Sequence, residues 1–157
     1  MIQWHAIAAG TFANRTCEFK FPDGVSLQWL KKQASLAPLR RARWCAHASP
    51  SDPLQEMLVA VQKGSFLPAH RHLRKPESLL VVEGLAALVL FDGEGNKVER
   101  HLLGTSESER LFFFRIPPCV FHCLEIETDY FVFHEITLGP YDPEETQVAP
   151  WQRGKDA

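Results

Sequence analysis

Cysteine is scarce and scattered in this chain. The four thiols stand at positions 17, 45, 119 and 123, with no C-x-x-C pair and no dense framework. That spacing offers neither a zinc ribbon nor a disulfide scaffold. It fits reduced thiols in a reducing compartment, a disulfide being the weaker alternative. Long apolar runs are missing too, and none approaches the roughly 20 residues a membrane-spanning helix needs. The apolar start is interrupted by Gln3 and His5 and carries no Lys or Arg before Arg15, unlike a secretion signal. Charge of one sign is also absent. With 17 basic and 19 acidic residues the formal net charge is −2, which gives no electrostatic case for nucleic acid or a membrane as the main partner. No internal repeat or low-complexity segment occurs. What remains is a chain of ordinary globular composition, expected in the cytoplasm. At 157 residues it is long enough for one domain with a real core.

What is present is a succession of short β-type runs. Residues 1 to 24 hold Trp4, Phe12, Phe19 and Phe21 without clean periodicity and suit one or two strands lying across the main body. Ser26 is a candidate N-cap, and Leu27, Leu30 and Ala34 then recur at helical spacing until Pro38, so one short helix is expected over 27–36. Strands are expected over 44–48, 55–62, 66–72, 77–82, 85–91, 97–103, 111–116, 120–126 and 130–138. A hairpin across Glu83-Gly84 would set Glu77, Leu79 and Val81 opposite Leu90, Leu88 and Ala86, all facing inward. The residues after Gly139, with Tyr141 and Trp151, are expected to pack on the outside. One early helix and many short strands argue for an all-β sandwich or barrel. The organisation expected is an N-terminal extension with the helix (1–37), the β domain (38–152) and a tail (153–157).

The chemistry concentrates around Pro68-Ala69-His70-Arg71-His72. Two histidines two apart on a strand share one face, because side chains alternate. Glu77 heads the next strand, and imidazoles with one carboxylate suit a divalent transition metal. A further ligand is wanted from a distant strand, and His122 is the candidate. If residues 127–129 form a three-residue loop, His134 falls across from His122 and becomes a candidate catalytic or supporting group. Arg74 and Lys75 beside the ligands, with Gln55 and Glu56 on the preceding strand, are candidate substrate-binding residues. Arg71 must point away from the two histidines. His47 reads as structural, and His5 and His101 as surface residues. Cys123 faces away from His122 and reads as a packed thiol. Asp92-x-Glu94-x-Asn96 is not a calcium loop, since Lys97 and Leu103 stand where Gly and Glu are required.

The spacing G-x5-H-x-H-x4-E-x6-G from Gly64 to Gly84 matches the first cupin motif without a mismatch. Pro117-x-Cys119-x2-His122 resembles the second, with Cys119 where glycine is usual and Ile126 where an asparagine is usual. Arg40-Arg41-Ala42-Arg43, His47-Ala48-Ser49-Pro50, Phe91-Asp92, Gly139-Pro140-Tyr141 and Ala149-Pro150-Trp151 are similar to stretches of the WbuC family of cupin-fold metalloproteins. The resemblance covers residues 37 to 152.

It implies an RmlC-like cupin jelly roll holding one divalent metal, zinc, iron, manganese or nickel, on His70, His72, Glu77 and His122. It further implies a saccharide-related small-molecule partner, while the basic residues beside the ligands suit an anionic one; a homodimer is an open option. The function expected is a metal-dependent enzyme, isomerase-like or an oxygenase. A non-catalytic binding or sensing module is the alternative, and a metal-free sugar-nucleotide epimerase is disfavoured by the intact ligand set.

Overall fold

The computed structural model describes residues 5–13 and 24–152. Among these, twelve strands and one α-helix follow one another in the order β1 (His5–Ala8), β2 (Thr11–Ala13), α1 (Gly24–Leu36), β3 (Arg41–Cys45), β4 (Leu54–Gln62), β5 (His70–His72), β6 (Glu77–Glu83), β7 (Ala86–Phe91), β8 (Lys97–Leu103), β9 (Phe113–Ile116), β10 (Phe121–Ile126), β11 (Tyr130–Leu138) and β12 (Thr146–Val148). They form a seven-stranded sheet, β1-β2-β3-β4-β11-β6-β9, and a five-stranded sheet, β12-β5-β10-β7-β8. No helix among the described residues is long and apolar enough to cross a membrane.

Alternation along the strands builds the interior. Met57, Val59 and Val61 of β4, Leu79 and Val81 of β6, and Phe131 and Phe133 of β11 join Ala86, Leu88 and Leu103 of the other sheet in one buried cluster. The opposite face of the large sheet presents Ala42, Trp44, Ala60 and Val132, which Leu30 and Ala34 of α1 cover. The helix begins at Gly24, so Ser26 lies in its first turn instead of capping it, and it ends at Leu36 as expected. The strands β1 and β2 extend the edge of the large sheet, and Phe12 meets Trp29 edge-on at 4.8 Å. Trp4, Phe19 and Phe21 lie outside the described residues.

Several boundaries differ from expectation for identifiable reasons. The strand foreseen over 44–48 is shifted to Arg41–Cys45, because the chain turns away after Ala46, whose N–H still donates to the Glu56 carbonyl. There the ring of His47 replaces a strand partner and accepts the Glu56 N–H at its Nδ1, 3.1 Å away. The strand foreseen over 66–72 is confined to His70–His72. The C-terminal segment is no external tail either. Its β12 pairs with β5, and Trp151 packs against Phe121 at 4.9 Å.

The larger correction concerns topology. The expected hairpin between β6 and β7 does not form, because the two strands lie in different sheets: β6 pairs with β11 and β9, β7 with β10 and β8. The same holds for β10 and β11. Gly84, at φ +86°, is where the chain leaves one sheet for the other, and a Cβ there would lie 2.2 Å from the Tyr130 carbonyl oxygen. The second crossing buttresses the first, with Leu85 N–H donating to Thr128 Oγ1 and Glu127 N–H to the Leu85 carbonyl. The inward facing of Glu77, Leu79 and Val81 survives, now across the sandwich from Ala86 and Leu88.

Phe131 is fully buried at the centre of this core, whereas Leu80 on the neighbouring strand is 39% exposed. Phe131→Ala should cost about 3–5 kcal/mol in chemical denaturation, and Leu80→Ala well under half of that. Equal costs would contradict this placement of the core.

Candidate metal centre

Two sheets contribute donors to one point. His70 and His72 project from β5, and its neighbour β10 sets His122 directly opposite His70. Glu77 comes from the facing sheet, at the first residue of β6. One donor atom from each of the four lies within 4.8 Å of the others. The ring of His70 stands 4.5 Å from that of His122 and 5.3 Å from that of His72, centroid to centroid. Glu77 and His122 are buried, at 7% and 3% exposure.

The outer nitrogens fix the state of the rings. His70 Nδ1 lies 3.0 Å from the Pro68 carbonyl and His122 Nδ1 2.9 Å from that of Val120, each two residues back along the chain. A carbonyl oxygen only accepts, so both Nδ1 atoms carry the proton and a neutral ring keeps its lone pair on Nε2. His72 Nδ1 is 3.2 Å from Thr146 Oγ1 on β12. All three inner nitrogens are thus left to the site. His122 Nε2 sits 2.6 Å from Glu77 Oε1, yet it is buried without an aligned hydrogen-bond partner. His72 Nε2 is 3.2 Å from Glu77 Oε2. Lone pairs facing carboxylate oxygens at such range require a cation or an added proton between them.

The electrostatics of the ligands differ from one to the next. Burial pushes the His70 imidazole down to about 4, with the charge of His122 acting in the same direction, so His70 is neutral at physiological pH. Burial tends to raise the Glu77 carboxyl, but its contacts with His122 and His72 outweigh that and hold it well below the usual carboxylate range. The hydrogen bond to Glu77 raises His72 against its own burial. Neutral imidazoles around an ionised carboxylate are what a divalent ion takes as ligands, and this donor set fits one.

The loop that carries His122 keeps its shape despite the cysteine. Cys119 adopts φ +67°, the left-handed region usually reserved for glycine. Its N–H donates to the His72 carbonyl at 2.7 Å, which ties the two ligand loops together. Cys123 lies on the far face of β10 with Ala69, Val89 and Phe121, and burial pushes its thiol up to about 11.

The remaining sequence candidates are placed elsewhere. His134 is not across from His122, because β10 and β11 do not pair. It shares the outer face with Val132, pairs with Leu58 and Leu80, and its Nε2 meets Glu56 Oε1 at 2.8 Å. Glu56 is therefore outward too. Gln55 is buried, and its amide donates to carbonyls of the 49–52 loop, including that of Asp52 at 2.9 Å. Arg74 is engaged by Glu145 and Asp142, and Lys75 by the Pro140 carbonyl. Arg71 points away from the histidines, over the Phe121 ring and onto Gln147.

A family model described as "Domain of unknown function (DUF6016)" matches residues 23–103, just over half of the chain. The chain belongs to this family. No curated protein sequence matches it. Solved structures similar to this DUF6016 chain include protein SO0799 from Shewanella oneidensis, 11% identical over 68% of this chain and 72% of that one, with a TM-score of 0.54. The capsular polysaccharide assembling protein CapF from Staphylococcus aureus is 19% identical over 69% of this chain and 31% of its own, at 0.54. A variant of the Bacillus subtilis oxalate decarboxylase OxdC is 15% identical over 69% and 27%, at 0.53. At these identities the likeness concerns the fold, which is the all-β cupin jelly roll with one short helix.

The DUF6016 chain also carries a carboxylate that strand alternation alone did not single out. Glu135 lies on β11 between Phe133 and Thr137, opposite Leu79 and Met57, on the face that carries Glu77. Burial, and then the charge of Glu77, raise its carboxyl to about 7. A group raised in the folded state binds its proton more tightly there, so stability falls as pH rises from about 4.5 through 7. In chelator-treated protein, Glu135→Gln should therefore gain on the wild type by on the order of 2–3 kcal/mol at pH 8 and much less at pH 5. A pH-independent difference in urea midpoint would contradict this environment.

Proposed function

We propose that this chain is a metal-binding cupin of the WbuC kind that holds one divalent transition metal on His70, His72, Glu77 and His122 and binds or transforms a small molecule there. The observation that carries this reading is the pair His122 Nε2 and Glu77 Oε1, 2.6 Å apart and buried, with the ring's proton already committed to the Val120 carbonyl. A divalent ion held by three neutral imidazoles and one carboxylate would keep a net positive charge and would supply Lewis acidity toward a carboxylate, enediol or hydroxyl.

The chain's own residues do the rest. The Pro68 and Val120 carbonyls and Thr146 orient the imidazoles, as outer partners of metal-bound histidines generally do. Glu77 anchors the centre from the opposite sheet. Glu135 adds a titratable oxygen on the same interior face, the type of group that moves a proton to or from a bound molecule. That favours an enzyme, isomerase-like or an oxygenase, over a passive binding module. The WbuC resemblance supports a saccharide-related ligand.

Protein purified without chelator or affinity metal should contain close to one equivalent of a divalent transition metal by elemental analysis. Binding confined to the folded state adds about 2.7 kcal/mol at a hundredfold excess over Kd, so chelation should lower Tm. His122→Ala should lose most of the metal and respond little to chelator. Unchanged metal content in that variant would remove His122 from the ligand set.

A further inference from the structure

We propose that Arg43 is the anion-binding residue of this site, so that the small molecule taken at the centre carries an oxyanion, a carboxylate or a phosphate ester, that Arg43 grips. The proposal rests on reading His70, His72, Glu77 and His122 as a metal centre, and it names the substrate class of that same site. On β3, Arg41, Arg43 and Cys45 pair with Val61, Val59 and Met57. Cross-strand partners share a face, and Met57, Val59, Val61 and Cys45 all belong to the interior cluster, so both guanidiniums project from the interior side of the sheet. Arg43 is half-buried, and among the described residues its side chain has neither an ion pair nor a hydrogen bond. The cations nearest the ligands in sequence are occupied instead, Arg74 by Glu145 and Lys75 by the Pro140 carbonyl.

Arg43 shares the interior face with Glu135, and its charge favours the ionised form of that carboxyl, on which Glu77, His72 and His122 also act. Arg41, next along that face, interacts with both Arg43 and Glu135. Two guanidiniums therefore share a face with one carboxylate, and among the described residues none of the three completes an ion pair. Withdrawing an uncompensated cation from water is costly, so the arrangement suits an arriving anion. Arginine's planar fork matches carboxylate and phosphate oxygens in a bidentate way. A molecule that meets the centre with one oxygen and Arg43 with its acid group would lie along Glu135.

The test is calorimetric titration of glycolate, and separately of inorganic phosphate, into the full chain with its metal, with metal content measured on the same samples. The two arms distinguish a carboxylate ligand from a phosphate ester. The wild type should bind at least one anion. Arg43→Gln should weaken that binding on the order of 10- to 100-fold with metal stoichiometry unchanged, and Arg43→Lys, which keeps charge without the fork, should fall between. Arg115→Gln, on the exposed edge strand, should match the wild type. Absence of anion binding in the wild type, or full affinity in both Arg43 variants, overturns the proposal. A wild type that holds no metal yet loses anion affinity with Arg43→Gln would fell the metal reading and leave the Arg43 assignment standing.

Discussion

An ionised carboxylate inside a β-sandwich must be compensated where it stands, and Glu77 is that carboxylate. It is 7% exposed and touches the imidazoles of His72 and His122 from the opposite sheet. Uncompensated burial of such a charge costs several kcal/mol or more. Everything that brings the histidines to it is consequently under constraint. The pairing of β5 with β10 sets His70 beside His122, the Cys119 turn ties the two loops, and β12 closes the edge of β5 with Thr146 against His72.

That constraint also explains how polarity is layered in the interior. Glu77 shares its cross-strand row with Thr137 and Gln55, and the next row holds Glu135 between Leu79 and Met57. Beyond it the rows through Phe133 and Phe131 are apolar on β11 and β4 and meet Arg43 and Arg41 on β3. The sandwich therefore grades from ligands, through one titratable carboxylate, to hydrocarbon. On β3 the same interior face carries Arg43 and Arg41, which continue the rows of Val59 and Val61.

Much of this was legible from residues alone. The H-x-H pair, Glu77 and His122 were readable because strand alternation and a fixed motif spacing both act locally, and both hold. Connectivity was harder. Alternation says that Leu79 and Leu88 face inward, and this is equally true of two strands paired in a hairpin and of two strands facing each other across a sandwich. The crossings at Gly84 and Thr128 decide for the second, and His134 turns outward with them. Glu135 escaped notice for the same reason: once His134 was set inward, its neighbour had to be outward. Arg43 was visible within a basic run, but its facing depends on pairing with Val59, a contact set by the sheet as a whole. Thr146 lay in a segment without alternation, and its role depends on a strand added at the sheet's edge.

The central claim is that three imidazoles and one carboxylate form a single mononuclear site, and X-ray absorption spectroscopy of the zinc- or cobalt-loaded protein tests it most directly. The expected spectrum has a nitrogen and oxygen shell at about 2.0–2.2 Å, with the outer-ring scattering of three histidines. A sulfur shell near 2.3 Å, placing Cys119 or another thiol on the metal, would contradict it, as would a spectrum without histidine scattering.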